Sequence, residues 1–293
     1  MGWTQEEIGK YLCNLKNQNL SNIIPIKNVK SEEDIIKYNA DGYEVMLYEQ
    51  CREQFPELID KYGDYLYYAN RTDEKIMYFD EGKGIIFYTG IFVGSDDNGV
   101  GLFYLDFMYK VPALEHVEFL ISDWEKMLSE HDFDGMYFAI PEEYRVEYTV
   151  RSINTFPEEY RYSFFIDMYS GADYGFGILD ESFLQYIKDS KTQEQIDSTM
   201  EELDNAVGGD ILHVYRGIGE MSTENGFSFT LDEDTAYFFA ERFSGNGDTA
   251  YIIEADVYKK DVIEYITDRD EEEILVLPST LMNVQKYEYD IEK

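Results

Sequence analysis

Ile8, Tyr11, Leu12 and Leu15 recur at helical spacing among polar neighbours. With Thr4 placed as a cap and Glu6 and Glu7 in the first turn, they predict a helix over residues 4–17. Beyond Pro25, the run Ser31-Glu32-Glu33-Asp34 opens a second helix. A third helical run covers 44–62, carries Val45, Leu47, Tyr48 and Cys51, and breaks at Pro56. The period then changes to that of extended chain. Tyr-, Phe- and Ile-rich runs at 65–69, 75–79, 84–93 and 101–109 alternate with turn chemistry such as Asp80-Glu81-Gly82-Lys83 and Ser95-Asp96-Asp97-Asn98-Gly99, predicting antiparallel strands. Helical spacing returns over 115–130, and the short apolar run 136–140 predicts a strand.

From Phe156 onward helices come first, over 164–169, 181–188 and 192–206, the last ended by Gly208-Gly209-Asp210. Strands follow at 211–215, 226–230, 249–257 and 273–277, with a helix from Asp232 to about Arg242 between the second and third. Helices followed by short strands predict a second α+β unit. The chain thus divides near 140–155, into an N-terminal α+β domain over 1–150 and a C-terminal domain over 151–293. No internal repeat and no low-complexity linker marks the join.

Composition supports packed cores. Of 293 residues, 44% are hydrophobic and 16% aromatic, which excludes wholesale disorder despite a net charge of -37. That charge disfavours nucleic-acid binding, because phosphates need clustered Lys and Arg. It fits a solvated acidic surface, or an acidic decoy that mimics a nucleic acid to occupy a basic partner. Cys13 and Cys51 lie in no reactive motif, and two cysteines in so long a chain fit a reduced setting. His116, His131 and His213 show no metal-ligand spacing, so no metal site is expected. No apolar run is long enough to span a bilayer, and the N-terminus lacks a basic-then-apolar pattern. These features predict a cytoplasmic protein with no membrane association.

Candidate chemistry gathers in three pieces of the C-terminal half. Arg216 ends the strand His213-Val214-Tyr215 and precedes Gly217 and Gly219. Flanking glycines let backbone and ligand approach, and a guanidinium binds phosphate oxygens in two-pronged fashion. Ser228 and Thr230 alternate on a strand, so their hydroxyls face one side and Phe229 the other. Glu271 and Glu273 lie two apart at a strand entrance, which predicts a shared face with Glu272 opposite. Ile274-Leu275-Val276-Leu277 must be buried, so Glu273 stands at the edge of a core, partly desolvated.

In this order the three pieces resemble the arginine–serine–glutamate class of mono-ADP-ribosyltransferases. In that class a strand ends in an arginine, often within Tyr-Arg-Gly; a later strand carries Ser-x-Thr or Ser-x-Ser; and a Glu-x-Glu enters a final strand. The segment after the serine strand, Asp232 to Phe243, and the helix before the first strand, with Leu203-Asp204-Asn205-Ala206, also look like the family's. The middle element departs mildly, reading Ser-Phe-Thr rather than Ser-Thr-Ser. The resemblance covers roughly residues 155–293, and residues 1–150 resemble no family.

The resemblance implies a fold of two small packed sheets with flanking helices, and NAD+ as co-substrate. Arg216, with Gly217, would hold the diphosphate or a ribose, and Ser228 with Thr230 would support the nicotinamide-side ribose. Glu273 would steady the cationic ribose as nicotinamide leaves, and Glu271 would orient or deprotonate the acceptor. Glutamate at that first position goes with arginine acceptors in the family, so a protein acceptor is favoured and a nucleic acid is the alternative. The same site could use water, making an NAD+ glycohydrolase. A toxin or phage–host conflict effector with a cognate antitoxin or inhibitor is a further expectation.

Overall fold

The computed structural model describes residues 20, 22–70, 75–96, 99–104, 111–172, 175–220, 222, 226–244, 249–267 and 271–290. The helix expected over 4–17 lies outside them. The described chain falls into two compact units: one runs to Thr155 and takes in Ala172–Phe176, and the other comprises Phe156–Gly171 and the chain from Gly177. Among the described residues no helix is long and apolar enough to cross a membrane.

The first unit is built on a five-stranded antiparallel sheet in chain order. Its strands are β1 (Ile23–Pro25), β2 (Leu66–Ala69), β3 (Lys75–Asp80), β4 (Ile85–Asp96) and β5 (Gly99–Tyr104). Residues 105–109 of the strand expected over 101–109 lie outside the described residues. Register places Tyr78 opposite Phe87, and their rings stack with centroids 5.0 Å apart, a cross-strand pair that fixes the pleat. Helix Ala113–Glu130 packs on β4 through a stripe that buries Val117, Ile121 and Trp124. The break foreseen at Pro56 is real, with Tyr48–Gln54 and Pro56–Tyr62 as separate helices and the proline at the first position of the second.

One expectation fails in this unit. The apolar run 136–140 is not a strand but part of helix Phe133–Ala139, whose cap is the Asp132 side chain accepting from the Gly135 amide at 2.9 Å. A five-residue apolar run has no period of its own, and the cap decides the outcome.

In the second unit, helices Glu158–Ser170, Glu181–Asp189 and Gln193–Ala206 precede six strands. These are β6 (Ile211–Ile218), β7 (Ser228–Thr230), β8 (Thr249–Tyr258), β9 (Val262–Ile266), β10 (Glu273–Val276) and β11 (Met282–Asp290). They form one sheet in the order β11-β8-β6-β7-β10-β9, every pair antiparallel, rather than the two small sheets expected. The join between its halves is narrow. β6 and β8 pair from Ile211↔Tyr258 to Ile218↔Tyr251, whereas β6 and β7 share only Tyr215↔Thr230, since β7 is three residues long. A core of Leu203, Leu212, Val214, Phe229, Ile274 and Val276 spans both halves on one face. Helix Glu233–Ser244 covers another part through Ala236 and Ala240, which pack with Ala250 and Ile252. Strands β9 and β11 were not foreseen. β11 reads as polar, and its pairing slips between Met282 and Gln285, with Asn283 at φ +51°, so its sequence keeps no clean alternation.

Candidate active site

The cluster forms where the β6–β7 ladder stops. Arg216 is the residue after the single Tyr215↔Thr230 pair, and its Nη1 donates to the Ser228 carbonyl at 2.7 Å. A side chain thus serves a backbone acceptor beyond the end of the ladder. β10 lies on the other side of β7, in register Glu273↔Thr230 and Leu275↔Ser228, which brings Glu273 beside the same three-residue strand. Arg216, Ser228 and Glu273 are each half-buried.

A fourth group completes the cluster, and no sequence pattern announced it. Tyr169, in the last turn of helix Glu158–Ser170 and only 8% exposed, donates from its hydroxyl to Glu273 Oε1 at 3.2 Å. Burial, and after it the Glu273 charge, push the Tyr169 phenol well above its usual range, while Arg216 and a hydrogen bond with the Ser228 side chain oppose the rise. The phenol therefore stays protonated across the physiological range and acts as a neutral donor. Burial also pulls the Arg216 guanidinium below its ordinary value, and the neighbouring Tyr169 and Glu273 oppose that shift. A guanidinium, a carboxylate, a phenol and a hydroxyl thus meet at one place, with the cation and anion close enough to influence each other.

The Glu271-Glu272-Glu273 turn is held by two hydrogen bonds from the Thr230–Leu231 segment. Thr230 Oγ1 donates to the Glu271 carbonyl at 2.7 Å and accepts from the Asp232 amide at 3.0 Å, while the Leu231 amide donates to the Glu272 carbonyl at 3.1 Å. The buried Thr230 hydroxyl is thus engaged with backbone on both its donor and its acceptor side. Glu272 has φ +45°, so strand alternation does not run back through it and the shared face expected for Glu271 and Glu273 has no basis in pleating. Glu271 and Glu273 are half-buried and Glu272 is exposed. Beyond the turn, Asp232 caps helix Glu233–Ser244, its Oδ2 accepting from the Thr235 amide at 3.0 Å.

The glycines have a different use from the one expected. A Cβ on Gly217 would run into the Ala236 carbonyl oxygen and sit 2.5 Å from the Ala240 nitrogen, both backbone atoms of helix Glu233–Ser244. Gly219 likewise lies against the Phe243–Ser244 backbone. These residues let the helix approach β6, so the space at Gly217 expected for a ligand is filled by protein. Gly226, assigned no role from sequence beyond starting a strand, is the glycine that serves Arg216: its Cβ would fall among the guanidinium atoms, 2.6 Å from Nη1.

Of the residues singled out in the sequence, Arg216, Ser228 and Glu273 come together, Thr230 and Glu271 shape the turn beside them, and Gly217 packs a helix. Among the described residues no three His, Cys, Asp or Glu side chains are grouped to hold a metal ion. Comparison of the chain with protein-family models, curated proteins and solved structures finds no match.

Proposed function

We propose that the second unit is a mono-ADP-ribosyltransferase that moves ADP-ribose from NAD+ to a macromolecule, with an arginine side chain of a protein as the favoured acceptor. The observation that carries the reading is the meeting of Arg216, Ser228 and Glu273 around β7, in the chain order of the Arg, Ser-x-Thr and Glu-x-Glu pieces. The donor set fits the co-substrate: a partly desolvated guanidinium suits a diphosphate, and a half-buried carboxylate suits a sugar that becomes cationic.

On this reading Arg216 binds the diphosphate or an adjoining ribose, and Ser228 supports the nicotinamide-side ribose. Glu273 hydrogen-bonds that ribose and offsets the positive charge that develops as the bond from ribose carbon to nicotinamide nitrogen breaks and its electron pair leaves with nicotinamide. The acceptor nitrogen then bonds to that carbon, and Glu271 orients it and takes its proton. The test is incubation with NAD+ labelled in the adenylate moiety and a whole-cell extract. Label that survives nuclease and is lost to protease supports a protein acceptor. Label lost to nuclease alone points to a nucleic acid. Release of nicotinamide with no labelled macromolecule makes the protein an NAD+ glycohydrolase, and an intact NAD+ pool refutes the reading.

A further inference from the structure

The helix Glu158–Ser170 touches the sheet at two polar points one heptad apart. Tyr162 donates to the Ile263 carbonyl at 2.9 Å and bonds the Glu264 carboxylate, both on β9. Glu264 is further held by Thr199 Oγ1 and by the Tyr265 amide, each at 2.9 Å, with the Lys191 ammonium at 3.8 Å. Tyr169, seven residues along and so on nearly the same helix face, meets Glu273 on β10. The first tyrosine is locked into a buried, fully engaged network; the second ends on a carboxylate at the mouth of the turn. A helix fixed at Tyr162 has little freedom to carry Tyr169 away from Glu273.

We infer that Tyr169 is a positioning residue for Glu273, its phenol holding the carboxylate in one rotamer against the Ser228 and Arg216 side of the cluster. Loss of that bond would loosen the carboxylate, and its aim at a reacting carbon would be lost for part of the time. Among the described residues, Tyr169 from the helix and Arg216 from β6 are charged or titratable groups beside Glu273, and Glu271 and Glu272 precede it in its own turn. Tyr169 bonds its carboxylate directly, at Oε1. The consequence for turnover rests on the transferase reading; the hydrogen bond and its effect on Glu273 do not.

The experiment compares the full chain with Tyr169→Phe, which keeps the ring and removes the donor. The first readout needs no activity. Carboxyl carbon NMR of protein labelled at glutamate, with the Glu273 resonance assigned by its loss in Glu273→Gln, follows the titration of that one group. Removing a donor to the charged form should move the Glu273 titration to higher pH. Replacing Tyr169 by 3-fluorotyrosine, a more acidic phenol of nearly the same shape, should move it the other way and keeps the test open if the Phe variant folds poorly. The second readout is NAD+ cleavage, where Tyr169→Phe should lower kcat by about 10- to 100-fold with KM changed by less than about threefold, the scale of one hydrogen bond to a charged group. Unchanged Glu273 titration in both variants overturns the inference. A shifted titration in a protein that cleaves no NAD+ upholds the positioning and sinks the transferase reading.

Discussion

An alanine at Gly217 separates two explanations of the Tyr-Arg-Gly stretch. If the glycine leaves room for a ligand, Gly217→Ala should fold normally and bind poorly. If it leaves room for a helix, the fold itself should suffer. The new Cβ would stand 2.5 Å from the Ala240 nitrogen, where ordinary contact begins at 3.4 Å, so helix Glu233–Ser244 must retreat by about 0.9 Å (3.4 less 2.5), and further to clear the Ala236 carbonyl. That retreat opens a gap over Ala236, Ala240, Ala250 and Ile252, all nearly fully buried, and a gap of that size forfeits roughly a quarter to a half of the contact energy across it. Gly217 has no positive φ, so alanine's usual gain of about 0.4–1 kcal/mol from a stiffer unfolded chain acts in the opposite direction. Overpacking costs about 1–3 kcal/mol and sometimes more, and with backbone on both sides of the clash the upper end applies. A net loss of about 2–3 kcal/mol would lower the melting temperature of a unit of this size by roughly 4–12 °C. Calorimetry, with hydrogen exchange of the β6 amides to identify the transition, measures it, and Gly208→Ala, where nothing lies within 4 Å, is the control. A Gly217→Ala protein that melts with or above wild type refutes the packing argument and returns the glycine to the ligand.

Gly226→Ala should do the reverse: its Cβ meets a flexible side chain rather than backbone, so the fold persists while Arg216 is displaced from Ser228, and calorimetric NAD+ affinity falls at least about tenfold. Glu273→Gln should abolish both NAD+ cleavage and transfer, a loss of about 3 kcal/mol or more of transition-state stabilisation, while Glu271→Gln impairs mainly transfer; wild-type cleavage by the former removes Glu273 from the chemistry. Glu272→Gly should raise stability to urea by about 0.5–1 kcal/mol, because glycine adopts φ +45° without the clash a side chain meets there; a destabilised variant would mean that the Glu272 side chain contributes more than its backbone strain costs. With a net charge of -37, added salt should slow transfer to a basic protein more than it slows NAD+ cleavage, and equal slowing would argue against a charge-steered acceptor.

The parts of the site that sequence revealed are those tied to the ends of strands. Ser228 and Glu273 open β7 and β10, Arg216 lies where β6 leaves β7 although β6 itself runs on to Ile218, and β-pairing of the three strands is enough to bring them together. Tyr169 was invisible because its partner is 104 residues away and a tyrosine in an aromatic-rich helix looks like core until its hydroxyl is traced. Gly217 was misread because a glycine after a strand has the same signature whether a ligand or a helix fills the vacated space. Thr230 was half legible: its strand position was foreseen, but a hydroxyl does not advertise that its partners are the Glu271 carbonyl and the Asp232 amide. The positive φ at Glu272 broke the two-residue alternation on which the pairing of Glu271 with Glu273 depended.

This arrangement limits what each side chain can disclose by being removed. Arg216 donates to the Ser228 carbonyl where the β6–β7 ladder has ended, so Arg216→Ala would strip a backbone acceptor of its donor as well as removing a cation. Lysine in its place keeps the charge but loses the planar fork that lets one guanidinium serve the carbonyl and another group together. Thr230→Val would release the Glu271 carbonyl and the Asp232 amide at once, loosening the turn that carries Glu273. Loss of activity in any of these variants therefore mixes chemistry with a weakened join between the two halves of the sheet. Glu273 is the exception, since its backbone is paired on both sides, to β7 and to β9, independently of its carboxylate. Glutamine there keeps the strand, the shape and an acceptor for Tyr169, while it removes the charge and turns one acceptor oxygen into an amide donor. The electrostatic demand of the proposed reaction is accordingly tested most cleanly at Glu273, with the Arg216 variants informative only after their stability has been measured.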